Sequence, residues 1–384
     1  MQENTIKNFS PKNFNFKKYW RNIDKQILAG FVLLFILGIF FSFSSTSILA
    51  DERLDREHYS FFQKHLLYAA ASFSLMILIS SLSNELINKI IFPCFLLFFI
   101  TLLLVPFIGI EVKGAKRWLN LYFFNFQPIE FTKPFFILFV SQIISSGRIK
   151  NLNFSHFISF LLLSAIILLL VEQPDLGQSV LIFCTWLSLI FISGMNIYFI
   201  TTLVISVIIV FFSLVALAPE KFNYIINRIS SFLDPSKGEN FQSQKAIEAI
   251  RQGGIKGQGM GEGILKESVP EAHTDYIIAV ISEEFGSIIS ILIILIFLFI
   301  ALRITKIIID SKNNFYKLSL CGLVSLLIFQ TFIHVGVNAN LLPTTGMTLP
   351  FLSYGGSSLI GSAIISGIIL NFTRKDFLRD LNNE

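Results

Sequence analysis

The feature that most limits what this chain can fold into is the recurrence of apolar runs about as long as a bilayer is thick. A helix crossing a hydrocarbon core of roughly 30 Å needs about 17–25 largely apolar residues. Such stretches lie at approximately 27–49, 66–83, 87–109, 129–146, 156–171, 177–193, 197–218, 276–302, 317–339 and 352–372. They predict an all-α, polytopic integral membrane protein of about ten transmembrane helices, because a backbone in lipid must satisfy its own hydrogen bonds. Only 14% of the 384 residues are charged, against roughly 25% in soluble domains, which excludes a soluble globular domain. The 43 Phe accompany heavy use of Ile, Leu, Asn and Lys, and read as compositional background.

Charge placement sets the orientation. Six Lys/Arg precede the first run, and Ile27–Ala50 is longer than the roughly 7–15 residues of a signal-peptide core, which predicts an uncleaved first helix. An even number of spans puts both termini on one side. With that side cytoplasmic, the inner segments carry 16 Lys/Arg and the short outer loops 6, so the chain reads N-in and C-in. The net charge of +5 is therefore a matter of loop placement, and nucleic acid is not a partner. The domains follow: a basic tail over 1–25, helices one to seven over 26–218, a long extracytoplasmic loop over 219–275, helices eight to ten over 276–372, and a second cytoplasmic tail over 373–384.

The long loop holds a short helical piece, Gln244–Arg251, and a glycine ladder from Gly253 to Gly263. The ladder lacks both the GxGxxG and the GxxxxGK[ST] spacing, so it predicts a flexible hinge and no nucleotide site. Cys94, Cys184 and Cys321 sit inside apolar runs without CxxC or His-rich surroundings, and indicate neither a disulfide framework nor zinc.

Charges and broken backbone at membrane depth need a reason, since a charge near the bilayer centre costs about 2.5–3.5 kcal/mol on insertion scales. Glu130 and Lys133, three apart at the start of the fourth span, fit either a self-neutralising pair or a cation facing an anionic headgroup, with Lys116 and Arg117 nearby on the outer side. Asp175, in Gln173-Pro-Asp-Leu-Gly177, fits a helix cap or a polar site residue. Ser268-Val-Pro-Glu271 fits a capping box, which leaves Asp275 a turn further on as a carboxylate at the membrane surface, where it can take a proton from a hydroxyl. His334 to Ser358 contains two prolines among many hydroxyl and amide side chains, and describes backbone buried in protein or lining a wet cavity.

Taken together, Gly114-Ala-Lys-Arg-Trp-Leu-Asn-Leu121, Phe126-Gln-Pro-Ile-Glu-Phe-Thr-Lys133, Gln173-Pro-Asp-Leu-Gly177, Pro270-Glu-Ala-His-Thr-Asp275 with Glu283-Glu-Phe-Gly286, and Leu342-Pro-Thr-Thr-Gly-Met-Thr-Leu-Pro-Phe-Leu-Ser-Tyr-Gly-Gly-Ser-Ser358 resemble the SEDS family of polytopic cell-wall proteins (FtsW/RodA/SpoVE). The resemblance runs from about residue 25 to 375. Glu271-Ala-His-Thr-Asp275 and the Asn338-to-Phe351 stretch look more like the family's division branch than its elongation branch. Two positions depart from the pattern: Lys64 stands where the family usually has Arg, and His334 where it commonly has Asn.

The resemblance implies a peptidoglycan glycosyltransferase that polymerises lipid II at the outer face of the cytoplasmic membrane during septal wall synthesis. Asp275 matches the catalytic aspartate and would deprotonate the acceptor sugar 4-hydroxyl. Undecaprenyl diphosphate would leave, its charge met by Lys133, Lys116 and Arg117, with Arg228 or Arg251 as further cations. A divalent ion (Mg or Mn) can share that work. Glu130 would orient Lys133, and Asp175, His273 and Ser357 would join them as substrate-binding residues. A class B penicillin-binding protein transpeptidase and other divisome proteins are the implied partners. A lipid II flippase and a non-catalytic scaffold are the competing readings.

Overall fold

The computed structural model describes residues 16–47, 56–112, 114–122, 125–146, 152–217, 219–220, 222–234, 241–263 and 271–375. The ends of both basic tails and the Ser268 and Pro270 of the predicted capping box lie outside them.

In chain order the helices are α1 (Phe16–Asn22), α2 (Lys25–Ser47), α3 (Arg56–Ser81), α4 (Asn84–Ile108), α5 (Pro128–Ser145), α6 (Leu152–Glu172), α7 (Leu176–Ile192), α8 (Ile197–Leu217), α9 (Asn223–Leu233), α10 (Phe241–Gly253), α11 (Ile277–Asp310), α12 (Asn314–Asn338) and α13 (Gly356–Phe372). Between α4 and α5 lies a small antiparallel sheet of β1 (Ile110–Val112), β2 (Ala115–Asn120) and β3 (Asn125–Phe126), in the order β1-β2-β3. The apolar runs account for α2 to α8 and α11 to α13. Among the described residues seven of these helices are long and apolar enough to cross a membrane, while α7 and α13 are shorter and α5 carries Glu130 and Lys133 near its start.

Helix ends follow local chemistry. Ser83 caps α4 by accepting the Leu86 N–H, Asp175 caps α7 by accepting that of Gln178, and Pro128 opens α5 where a missing N–H costs nothing. Asp24 accepts from the N–H groups of Gln26 and Ile27 at the start of α2, and its second oxygen takes Arg303 of α11 at 2.8 Å.

The centre is built on α5, α12 and α13. α13 packs against α3 and α5, α12 against α5, α7 and α11, and α11 against α2. α13 is buried on nearly every side, whereas α8 buries only Ile200. Helices that are apolar all round belong either in a protein interior or in lipid, and these two show both cases. One Phe is far from background: Phe351, with φ 68°, is buried between the rings of Phe31 and Phe35 at 5.5 and 5.1 Å.

Two expectations need correction. The eighth span is longer than predicted and is interrupted at Gly286 (φ 82°). The carbonyls of Glu283 and Glu284 beside this break are taken by the N–H groups of Gln258 and Gly259 at 2.9 and 3.0 Å, and Ser287 N–H reaches the Gly254 carbonyl at 2.9 Å. The glycine ladder is therefore no free hinge. It is a strap docked on α11, so close that a Cβ on Gly257 would sit 2.3 Å from the Glu284 carbonyl oxygen. The long loop also contains two helices, α9 and α10, where one short piece was predicted.

Candidate active site

An open cavity of about 1150 Å³ lies where the sheet, α9, the turn before α11 and the segment between α12 and α13 meet. Such a volume suits a ligand larger than a drug-sized molecule. Asp275 lines it, carried by the short non-helical turn Glu271–Tyr276. Arg117 enters from β2. Its Nη1 and the Oδ2 of Asp275 each lie 3.6 Å from the point where a Cβ on Gly346 would stand. Guanidinium and carboxylate thus approach one and the same point beside Gly346, which a side chain there would crowd.

Arg117 is held from behind. Its Nε donates to the Gln173 carbonyl at 3.2 Å, its Nη2 to the Pro174 carbonyl, and Asp175 Oδ2 lies 3.7 Å from Nε. Asp175, expected among the substrate-binding residues, is buried and does not line the cavity; it caps α7 and stands against Arg117 from behind. A carboxylate behind a cavity cation fixes the guanidinium plane while leaving its outer N–H groups for a ligand.

A second cation comes from the loop. Arg228 of α9 lines the cavity and donates to the Thr344 carbonyl at 3.2 Å. Burial, and next the positive charge of Arg117, push its guanidinium below the ordinary value, while Asp175 and Asp275 act the other way. A buried guanidinium that a second positive charge disfavours marks a place where an anion is welcome. Lys64 of α3 also lines the cavity.

The remaining predicted residues fall elsewhere. Lys133, predicted as the foremost anion contact, does not reach the cavity: it is fully buried and its ammonium donates to Glu130 Oε1 at 2.9 Å, Gln178 Oε1 at 2.9 Å and Gln330 Oε1 at 3.4 Å. Gln178 Nε2 also donates to Glu130 Oε1 at 2.8 Å, and Gln330 Nε2 to the carbonyl of the cavity residue Thr348 at 3.0 Å. The network stands one layer behind the wall, and in this arrangement its three acceptors leave the ammonium no hydrogen for an anionic ligand. Lys116 is exposed on β2 and, like Arg251 and the His273 side chain, lies outside the cavity lining. Ser357 lines the cavity, yet its Oγ accepts the Gln127 N–H and donates to the Asn125 carbonyl, both at 3.0 Å, so it staples α13 to β3 and α5. Sequence reasoning passed over Gln178 and Gln330, although an amide inside an otherwise apolar span was the available signal. It also passed over Tyr224 and Tyr276, which line the cavity.

Among the described residues no three His, Cys, Asp or Glu side chains cluster as a metal cage. The cavity's carboxylates are Asp275 and Glu271, and the latter accepts the Thr274 hydroxyl at 2.7 Å. An ion of the Mg type needs only one or two carboxylates beside phosphate oxygens, so these residues are compatible with one.

Comparison with known proteins agrees with this architecture. Residues 24–377 match the family model FTSW_RODA_SPOVE, described as "Cell cycle protein". A Caulobacter vibrioides protein named "Probable peptidoglycan glycosyltransferase FtsW" is 35% identical over 362 residues, 93% of this chain and 90% of that one. A Haemophilus influenzae protein of the same name is 34% identical over 364 residues, 92% and 91% of the two. The fold is shared with a chain of the solved structure "Structural coordination of polymerization and crosslinking by a peptidoglycan synthase complex", at TM-score 0.74, 23% identity, and coverage of 94% of this chain and 99% of that one. It is shared also with the Thermus thermophilus rod shape determining protein RodA, at TM-score 0.69, 21% identity, and coverage of 95% and 99%. From its span pattern, its motif order and these matches over nearly its whole length, the chain belongs to the FtsW/RodA/SpoVE family of polytopic membrane proteins.

Proposed function

We propose that this protein is a peptidoglycan glycosyltransferase that polymerises lipid II into glycan strands for septal wall synthesis. The observation that carries the reading is the approach of Asp275 and Arg117 to one point beside Gly346 at the wall of one open cavity. Asp275 acts as general base on the acceptor sugar 4-hydroxyl. The freed oxygen forms a bond to the anomeric carbon of the donor, the bond from that carbon to the diphosphate breaks, and undecaprenyl diphosphate departs with the electron pair. A diphosphate leaves without protonation when cations meet its charge, and Arg117 and Arg228 stand where they can do so. A divalent ion at Asp275 or Glu271 would add charge stabilisation, and no step here depends on it.

Purified protein with its cognate transpeptidase partner and lipid II is expected to make glycan polymer, and Asp275→Asn to reduce it at least ~10³-fold while leaving the folded protein in the membrane. Polymer yield unchanged in the variant would remove Asp275 from the base role.

A flippase needs a polar path through both leaflets. Beneath the cavity the Lys133 network is sealed and internally paired, and the surrounding α5, α12 and α13 are packed, which supports chemistry at one face. A scaffold role alone gives no reason for Arg117 to face Asp275. The reading places the protein in the cytoplasmic membrane with both termini cytoplasmic, working at the division septum beside a class B penicillin-binding protein and other divisome proteins. The structural relative from a synthase complex that couples polymerisation to crosslinking supports such a partner.

A further inference from the structure

The turn that carries Asp275 is folded on itself at its start, where the Glu271 carbonyl accepts the N–H groups of Thr274, Asp275 and Tyr276 at 3.0, 3.1 and 3.2 Å. Three later carbonyls of the turn, those of His273, Thr274 and Asp275, are each taken by a donor from elsewhere. Tyr354 N–H donates to His273 O at 2.9 Å, Ser353 Oγ–H to Thr274 O at 2.6 Å, and Asn338 Nδ2–H to Asp275 O at 2.9 Å.

Two of these donors are buried side chains outside the cavity lining. Asn338, the last residue of α12, also donates to His334 O at 2.8 Å and accepts the Ala279 N–H at 3.2 Å, so its amide ties α12 to the end of the turn and to the first turn of α11. Ser353 Oγ accepts the Leu349 N–H at 2.7 Å, which aims its hydroxyl proton at Thr274.

The two oxygens they hold belong to the peptide planes immediately before and after the Asp275 Cα. Peptide units are planar, so the orientation of the first plane sets φ of Asp275 and that of the second sets ψ. With both planes pinned through their oxygens, the direction of the Cα–Cβ bond is fixed, and the carboxylate keeps only its own side-chain torsions. A general base must stand about 2.6–3.2 Å from the proton it takes. A displacement of about 1 Å arising far from the chemistry can cost on the order of 10²-fold in rate.

We infer that Asn338 and Ser353 are positioning residues for the Asp275 carboxylate, acting on it through the two peptide planes that flank its Cα. The inference rests on Asp275 being the base in the proposed reaction.

The test uses the full chain with its transpeptidase partner, measuring kcat and KM for lipid II polymerisation in Ser353→Ala, Asn338→Ala and Asp275→Asn together. Ser353→Ala removes one pin and leaves the rest of the turn's bonds in place. It is expected to lower kcat ~10-fold with KM within about twofold of the parent, and Asn338→Ala to lower kcat ~10–100-fold in the same pattern. A kcat within twofold of the parent in Ser353→Ala overturns the inference, as does a fall in kcat matched by an equal rise in KM, which a loosened cavity would give. Should Asn338→Ala fail to fold, Ser353→Ala alone decides. Full activity in Asp275→Asn is a separate result: it removes Asp275 as the base, whatever the Ser353 variant shows.

Discussion

Arg117 and Lys133 show how little a residue's type says about its task until its surroundings are known. Both are cations in the sequence segment that leads into one span, and both read as receptors for a lipid diphosphate. Arg117 faces the cavity with its back against two carbonyls and Asp175; Lys133 is enclosed by Glu130, Gln178 and Gln330. The i,i+3 spacing of Glu130 and Lys133 was legible in the sequence, but that spacing is the same for a pair facing a ligand and a pair facing other helices. Gln178 and Gln330, which decide the matter, come from 45 and 197 residues away. Lys133→Met is expected to destabilise the protein by ~3–5 kcal/mol, because it strands the Glu130 carboxylate in a dry interior. The double variant Glu130→Gln with Lys133→Met should recover most of that, with an unchanged KM for lipid II; thermal unfolding in detergent and initial rates check both halves. Arg117→Lys should cost ~10-fold or more in kcat/KM, since an ammonium cannot hold the Gln173 and Pro174 carbonyls and still present a flat fork to phosphate oxygens.

At the scale of elements, the apolar runs located every long helix, and the errors sit where backbone departs from regularity. Span ten was predicted from 352 and α13 begins at Gly356, because the preceding residues form the turn around Phe351 and Ser353. The sheet escaped notice because β1 and β3 have only three and two residues and the six of β2, with the charged Arg117 at a buried position, do not alternate apolar with polar. The break in α11 was also hidden, since one glycine in an apolar helix looks tolerable until its neighbours are seen. There the strap and the helix exchange backbone bonds, so each completes the other's unsatisfied groups. Gly257→Ala places a Cβ against the Glu284 carbonyl at a residue with φ 83° and is expected to cost ~1–3 kcal/mol or more. The check is a lowered unfolding temperature; an unaltered one would mean that the strap is not docked in the working protein.

Across the whole molecule, charge asymmetry and the even number of apolar runs define a topology that cysteine labelling can test. In a background lacking Cys94, Cys184 and Cys321, Lys312→Cys between α11 and α12 should react with a membrane-impermeant maleimide only after the cells are opened. Gln252→Cys in α10 should react in intact spheroplasts, and the reverse pattern would invert the assigned orientation. The two all-apolar helices, α8 and α13, meet different surroundings within this topology. α8 has 21 residues and, at about 1.5 Å rise each, is close to the roughly 30 Å of a hydrocarbon core. Lipid tails take no impression of a side chain's outline, so exchanging Leu, Ile, Val and Phe along α8 at constant total hydrophobicity should be silent, and homologous proteins are free to drift there. In α13 the same exchanges meet other helices from every direction, and each altered methyl must be answered by a neighbour.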